Sequence, residues 1–263
     1  MSKPTAQVLK GDCAKLLRSA EHIGKYRLVV CDPPYAFGQK YDEFVDTQTE
    51  TEYQAFTAGY LDAVAQAMTP DGSLWVIVPE EWLADVEIYA RANGLHRRRH
   101  IAWAFTFGQA GRRNFTRSHV YLIYFVKDRK TFVFNEDVVR VPSARSLVYA
   151  DKRANPKGKL PDATWMLLAD QMKPYCGADA SVWLESRVCG TFKARNKQSP
   201  NQIPLPIYRR IVQSTSAAGD RVLDPFAGTF GLGEVCKELD RGYVGIDVSD
   251  VCCKMGRERL GLT

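Results

Sequence analysis

The alternation of short apolar runs with segments of helical periodicity constrains the fold of this chain more than any other feature. Residues 26–32, YRLVVCD, form an apolar run that ends in a turn, which is the pattern of a buried parallel strand. Residues 53–68 carry large side chains at helical spacing, and the Thr-Pro-Asp-Gly sequence at 69–72 ends that helix. Residues 73–79 then predict a second buried strand, and residues 80–94 predict a second helix.

The same alternation continues through the middle of the chain and returns near the C-terminus. Two more strands are predicted at 100–105 and 119–127, joined by a loop rich in glycine and arginine. The pattern is lost from about 131 to 195 and resumes with a helix at 205–216, strands at 221–226 and 243–249, a helix between those strands, and a final helix from Asp250. We therefore predict an α/β, Rossmann-like fold: a mostly parallel central sheet with helices on both faces, interrupted by a basic insertion.

Length, charge, hydropathy and cysteine content limit the class of protein. A chain of 263 residues buries one substantial core, which favours one domain with an insertion over two equal domains. The 36 Lys and Arg against 30 Asp and Glu give a formal charge of +6, a weak indication of a polyanionic partner. The N-terminus has no apolar stretch of signal-peptide length, and no segment matches a membrane helix, so we expect a soluble, cytoplasmic protein. Seven cysteines without a C-x-x-C pair indicate reduced thiols rather than a zinc site.

Acidic residues close several predicted strands, at the edge where ligands of such sheets bind. Residues 222–235 form a strand that runs into a glycine-rich turn and then a helix, and Asp247 closes the next strand. The turn lets backbone approach a ligand, and the carboxylate can accept bonds from two ribose hydroxyls. A cofactor that contains a nucleoside is therefore expected. The order of Gly228, Gly231 and Gly233 does not fit the dinucleotide fingerprint, which disfavours NAD.

The segment DPPY at residues 32–35 admits two interpretations. Proline fixes φ and pushes the preceding residue to extended geometry, so the segment ends a strand as a rigid turn whatever its chemistry. The same stiffness holds the carboxylate of Asp32 near the Pro33 carbonyl, two acceptors beside the ring of Tyr35. Such a pair suits the two N–H groups of an exocyclic amine on a planar base, with the base stacked on the tyrosine.

Together, DPPY, DPFAGTFG and YVGID resemble the S-adenosylmethionine-dependent amino methyltransferases that modify exocyclic nitrogens in DNA. The tetrapeptide comes first, then the basic insertion, then the glycine turn, an order similar to the circularly permuted beta group of that family. The resemblance covers nearly all of the chain outside 131–195. It implies methyl transfer from S-adenosyl-L-methionine to a base that has been flipped out of double-stranded DNA.

The resemblance also implies roles for individual residues. It makes residues 1–130 the first part of the catalytic region, 131–195 a target-recognition insertion, and 196–263 the cofactor-binding part of the same domain. Asp32, Pro33, Pro34 and Tyr35 would be catalytic; the cofactor would contact Asp12, Cys13, Asn201, Gln202, Pro204, Asp224, Pro225, Phe226, Ala227, Gly228, Thr229, Asp247 and Val248. Among the basic stretches, we expect phosphate contacts from Arg112, Arg113, Arg117, Arg153, Lys157 and Lys159.

Two residues depart from the family pattern. Ile203 stands where a lysine near the cofactor carboxylate is usual, and Phe230 stands where the turn usually has its second glycine. Either change could alter cofactor affinity. Because the tetrapeptide is intact, we expect an active enzyme.

The expected product is N6-methyladenine, since Asp at position 32 is more frequent among adenine enzymes. An N4-cytosine methyltransferase and a non-catalytic nucleic-acid-binding relative stay open as alternatives. RNA or protein-glutamine methyltransferases commonly carry Asn in place of Asp32, which argues against them. No metal is expected, and a homodimer and a cognate restriction endonuclease are open as partners.

Overall fold

The computed structural model describes residues 5–42, 46–109, 113, 115–141, 143–147, 149–165 and 202–262. Two predicted site residues, Arg112 and Asn201, lie outside the described residues, as does the part of the insertion from 166 to 195.

One eight-stranded sheet organises the described chain, with the strand order β1-β8-β7-β2-β3-β5-β4-β6. Neighbouring strands are parallel except at β5, which runs against both β3 and β4. The strands are β1 Ala6–Lys10, β2 Tyr26–Cys31, β3 Met68–Val78, β4 His96–Gln109, β5 Arg117–Val126, β6 Thr164–Trp165, β7 Arg221–Asp224 and β8 Gly242–Asp247. Strands from the two ends of the chain interleave, because β7 and β8 lie between β1 and β2.

Helices connect most of these strands. They are α1 Cys13–Leu16, α2 Glu50–Ala67, α3 Leu83–Ala92, α4 Glu136–Val139, α5 Ala144–Leu147, α6 Leu205–Thr215, α7 Gly231–Glu238 and α8 Asp250–Leu260, with a 3₁₀ turn at Glu80–Trp82. A capping box starts α2: the Thr49 side chain accepts from the Glu52 amide while the Glu52 carboxylate accepts from the Thr49 amide. Within the described ranges, no helix is both long and apolar enough to cross a membrane.

The core has two layers, one on each face of the sheet. Successive residues of a strand point to opposite faces, so Leu28 and Val30 pack with α6 and α7 while Val29 and Cys31 pack with α2. This arrangement confirms the predicted α/β fold with a mostly parallel sheet and helices on both faces. The circularly permuted order and the role of the insertion stay predictions.

Strand lengths differ from the sequence patterns in two places. The predicted strand at 73–79 begins at Met68, because the chain enters extended geometry directly after α2 and Met68 pairs with Tyr26. The predicted strand at 100–105 spans His96–Gln109, because pairing with β5 continues on both sides of the apolar run. Cross-strand hydrogen bonds therefore extend both strands through residues that have little strand character of their own.

Candidate functional site

A cavity of about 230 Å³ opens at the carboxyl ends of β1, β2, β7 and β8. Parallel strands gather their following loops at this edge, so residues distant in sequence meet there. The cavity is lined by Gly11, Asp12, Cys13, Asp32, Pro33, Pro34, Tyr35, Tyr41, Asp42, Phe56, Pro225, Phe226, Gly228, Asp247, Val248, Ser249 and Cys252.

The DPPY segment follows directly on the last residue of β2. The hydroxyl of Tyr35 donates to Oδ1 of Asp32 at 2.5 Å. Burial and the charge of Asp32 hold the pKa of Tyr35 well above its usual value, so the phenol keeps its proton and stays a donor. The ring of Tyr35 also meets Phe37 edge to face, 5.9 Å between centroids. Tyr35 therefore orients the carboxylate in addition to offering an aromatic surface.

The next residues form a tight loop around the buried carboxylate of Asp46, which is 1% exposed. Its two oxygens accept from the backbone amides of Tyr35 (3.2 Å), Ala36 (2.8 Å) and Phe37 (3.2 Å). Ala36 has φ 55°, an uncommon value for a residue with a Cβ, and this turn brings the three amides toward one anion. Nε1 of Trp82 donates to the Tyr35 carbonyl at 2.7 Å and fixes the other side of the loop.

Asp247 joins the glycine turn to the ends of two strands. Its Oδ2 accepts from the Gly228 amide at 2.8 Å, and its Oδ1 accepts from the Ser249 amide at 2.9 Å. The Asp247 carbonyl accepts from the Gly11 amide at 2.9 Å. Burial raises the pKa of Asp247. Each carboxylate oxygen has a second lone pair, so the group can still accept from ligand hydroxyls.

Two further carboxylates lie on the same rim. Asp12 caps α1 by accepting from the amides of Ala14 at 2.8 Å and Lys15 at 3.3 Å. Asp42 accepts from the Ser249 hydroxyl and thereby connects the loop after DPPY to the start of α8. With Asp32 and Asp247 they make the cavity acidic, and its described lining contains no lysine or arginine. Such a cavity favours a ligand that carries positive charge.

A cysteine on this rim is not a nucleophile. Burial, together with the nearby charge of Asp12, raises the pKa of the Cys13 thiol to about 12, so it is protonated at neutral pH. Among the described residues, five cysteines are free and no group of three or more metal-ligating side chains is placed to hold an ion.

The structure places the predicted site residues in two groups. Those of the cavity wall are Asp12, Cys13, Asp32, Pro33, Pro34, Tyr35, Pro225, Phe226, Gly228, Asp247 and Val248. Those outside the wall are Gln202 and Pro204, before α6, and Asp224, Ala227 and Thr229, which are buried around the glycine turn. The lining residues that the sequence did not indicate are Gly11, Tyr41, Asp42, Phe56, Ser249 and Cys252. No spacing in the sequence links the loop at 41–42 to the end of β8, because tertiary packing makes that contact.

Asp224 lies beneath the cavity and is 3% exposed. The hydroxyl of Tyr243 donates to its Oδ2 at 3.0 Å. Burial raises the pKa of Asp224 to about 8, and the charges of Asp32 and Asp247 act in the same direction against the hydrogen bond from Tyr243.

Neither of the two departures from the family pattern reaches the cavity. Phe230 takes the left-handed conformation (φ 57°) that its position before α7 requires, and its ring is fully buried in the core. That ring fills space left by Gly245 and Gly256, where an added Cβ would lie 2.6 Å from ring atoms. Ile203 packs against the same core cluster.

The predicted DNA-binding cations occupy different surroundings. Arg113 is exposed near the end of the β4–β5 hairpin. Arg117 lies over the Phe37 ring, 4.4 Å from its centroid, and pairs with Glu81. Three cations of the insertion each pair with a carboxylate: Arg153 with Asp151, Lys157 with Asp137 and Lys159 with Asp162.

Sequence comparison gives the family of the chain. The profile of the N6/N4 DNA methylase family matches residues 26–258. The chain is 28% identical to the type II methyltransferase M.HpaI of Haemophilus parainfluenzae over 251 residues, which are 94% of this chain and 73% of the relative. It is 26% identical to the DNA adenine methyltransferase YhdJ of Escherichia coli over 260 residues, 96% of this chain and 82% of the relative.

The fold agrees as well. The solved complex of M1.HpyAVI with S-adenosylmethionine superposes with a TM-score of 0.65 at 18% identity, covering 97% of this chain and 99% of that chain. Because the family profile extends over most of the sequence, this chain belongs to the N6/N4 family of DNA methylases.

Proposed function

We propose that this protein transfers a methyl group from S-adenosyl-L-methionine to N6 of adenine in double-stranded DNA, at specific sites and after flipping the base. Membership of the N6/N4 DNA methylase family supports the reaction class. The observation that carries the proposal is the single cavity wall shared by the Asp32-Pro33 acceptor pair and the Gly228–Asp247 hydrogen bond. The acceptor pair suits an amino group, and the glycine turn with Asp247 suits a nucleoside.

The cavity's chemistry fits this cofactor, which supplies a methyl group bound to a positively charged sulfur. Asp247 would accept from the ribose hydroxyls, and Asp12 would act at the adenine end. Pro225, Phe226 and Val248 add apolar surface for a planar ring. The acidic rim favours the positive charge of the sulfonium and of the amino group.

The proposed chemistry depends on two acceptors. The target amino nitrogen is conjugated with its ring and is a poor nucleophile. N–H bonds to the Asp32 carboxylate and the Pro33 carbonyl would hold it pyramidal and stabilise the positive charge that develops on attack. Tyr35, whose hydroxyl already donates to Asp32, would hold the carboxylate in place. No strong base is required, because the methylated ammonium is acidic enough to lose its proton.

The choice of adenine depends on the family tendency at position 32. Adenine and cytosine both present two amino N–H donors, so the acceptor pair alone cannot discriminate between them. The similarity to a protein named DNA adenine methyltransferase supports adenine. The runner-up is N4 of cytosine, which the same family includes.

Other predictions of the resemblance stay part of this proposal. We assign sequence recognition to residues 131–195 because that stretch is basic and lacks the alternation of the rest of the chain. We expect the enzyme to be a cytoplasmic protein, prokaryotic or phage-encoded. A homodimer and a cognate restriction endonuclease are further expectations.

The test is mass spectrometry of nucleosides. Unmethylated DNA is incubated with the purified protein and S-adenosylmethionine that carries a deuterated methyl group. We expect deuterated N6-methyladenine; N4-methylcytosine without N6-methyladenine would contradict the base assignment and leave the enzyme class intact.

Asp32→Ala tests the mechanism. Because the carboxylate is used most strongly in the transition state, turnover should fall by roughly 100- to 1,000-fold while DNA affinity survives. Asp62→Ala, which removes a half-exposed carboxylate on α2 that pairs with Arg18, is the matched control. Near-normal turnover in the Asp32 variant would refute the assigned role.

A further inference from the structure

The hairpin between β4 and β5 extends beyond the edge of the sheet that holds the cavity. Val78, the last residue of β3, pairs with Tyr121, so the first residues of β5 extend beyond the end of β3. From Val120 back to Arg117 the strand pairs with β4 alone, an overhang of roughly 13 Å beyond Tyr121 at the usual rise per residue. Phe115 lies two residues before β5 and is 95% exposed.

A chain of contacts joins this hairpin to the catalytic segment. The Arg117 guanidinium lies over the ring of Phe37, and Phe37 meets Tyr35 edge to face. Arg117 also pairs with Glu81 in the 3₁₀ turn that follows β3. The base of the hairpin is thereby held beside the cavity, and the exposed ring of Phe115 projects from it.

Position distinguishes Phe115 from other exposed apolar residues, since a single exposed hydrophobic residue is ordinary on a protein surface. Tyr149 is 76% exposed and lies in the insertion, and Ile88 is 62% exposed on α3. Phe115, by contrast, lies on the hairpin whose base contacts the catalytic segment through Arg117 and Phe37, and the exposed cation Arg113 is two residues away. An apolar ring beside a cation suits DNA, where the cation meets phosphates and the ring meets unstacked bases.

We infer that Phe115 enters the duplex and stacks in the space that the target base leaves when it turns into the cavity. This inference rests on the base flipping of the proposed function and adds the residue that stabilises the flipped state. Flipping exposes the faces of the neighbouring bases, and an aromatic ring replaces part of the missing stacking. Because the hairpin is held next to Tyr35, one approach of the protein to DNA serves both steps.

The experiment compares methylation of two duplexes under single-turnover conditions. The first carries the modification site, located by sequencing modified bases in DNA from cells that express the protein. The second is identical except that the target base is mispaired, which lowers the cost of flipping. The proteins are the wild type, Phe115→Ala, Phe115→Trp and, as the matched control, Ile88→Ala.

We expect Phe115→Ala to slow methylation of the paired duplex by roughly 5- to 100-fold, the range expected when one base–aromatic stack is removed. On the mispaired duplex its rate should return to near the wild-type rate. Phe115→Trp, which keeps a ring, and Ile88→Ala should match the wild type on both duplexes.

Two results would overturn the inference. Wild-type rates of Phe115→Ala on both duplexes would show that the ring takes no part, and an equal loss on both would show a role other than filling the duplex. A wild-type protein that methylates neither duplex would instead refute the proposed function on which the inference rests.

Discussion

At the scale of single residues, a carboxylate outside the DPPY motif sets the shape of the catalytic loop. Asp46 is buried, and its two carboxylate oxygens accept from three consecutive backbone amides. Those amides belong to the loop that holds Tyr35, and Tyr35 holds Asp32. Asp46 is therefore a positioning residue for the acceptor pair.

Asp46→Asn tests that role. The amide keeps one acceptor oxygen but places a donor NH₂ group against amide donors, which should destabilise the protein by about 1–3 kcal/mol. Urea unfolding measures this loss. The control is Asp62→Asn, which makes the same change at a half-exposed aspartate on α2. Turnover should also fall at temperatures where the variant is fully folded, while its affinity for the cofactor persists. Unchanged stability and turnover would contradict the assignment.

The buried carboxyl of Asp224 predicts a pH dependence of stability. Its pKa is raised from the usual 3.8 to about 8 by burial, so the folded state keeps a proton that the unfolded chain releases. Its contribution to stability is therefore fully present below pH 4 and is lost as the pH rises toward 8. Asp224→Asn cannot ionise. Between pH 5 and 8 the wild type should lose up to about 1.4 kcal/mol per pH unit relative to this variant.

Urea unfolding of both proteins at several pH values measures that difference. Parallel stability curves would show that Asp224 ionises in the folded protein near its usual pKa.

At the scale of elements, the contact between the glycine turn and α8 explains how the unusual Phe230 is accommodated. Its ring occupies space that Gly245 on β8 and Gly256 on α8 leave open. An added Cβ at Gly256 would lie 2.6 Å from the ring, which is closer than packed atoms allow. The large residue in the turn and the small residues on its neighbours therefore depend on one another.

Gly256→Ala should consequently destabilise the protein, by about 1–3 kcal/mol of overpacking. Combined with Phe230→Leu, the loss should be smaller than the sum of the two single losses, because the smaller side chain vacates the space. A double-mutant cycle from urea unfolding measures this coupling. Additive losses would mean that the two positions do not compete for space.

Most elements were predictable because their local pattern and their burial agree. The strand at β2 and the helix at α6 carry the apolar spacing that their faces require. β1 was not predicted, since it is a short edge strand of half-exposed residues whose pairing with β8 joins opposite ends of the chain. The reversed direction of β5 was also not predictable, because an apolar run does not encode its direction.

At the scale of the whole molecule, some cavity residues were predictable from local sequence patterns and others depend on contacts between distant parts of the chain. Asp32, Gly228 and Asp247 were predictable as neighbours because each follows or ends a strand, and strand ends meet at one edge. Asp42 and Ser249 were not, because their hydrogen bond joins a loop and a helix start 207 residues apart. Local periodicity carries no information about that contact.

The distribution of charge leads to the last prediction, which concerns DNA affinity. Arg153, Lys157 and Lys159 pair with carboxylates in the protein, and their side chains are 81%, 66% and 39% exposed. Exposed ion pairs contribute only about 0–1 kcal/mol, so DNA phosphates can replace the carboxylates at little cost.

Replacing all three cations with alanine should therefore reduce the slope of log affinity against log salt by about 0.9 for each phosphate that the variant no longer neutralises. Fluorescence anisotropy with one labelled duplex, at several salt concentrations, measures the slope. Arg18→Ala is the matched control. The Arg18 guanidinium pairs with Asp62 in the C-terminal half of α2, which leads to the start of β3 and lies away from the cavity. An unchanged slope in the triple variant would show that these cations form only a solvated face, and sequence recognition would then have to be sought in other parts of the insertion or in the β4–β5 hairpin.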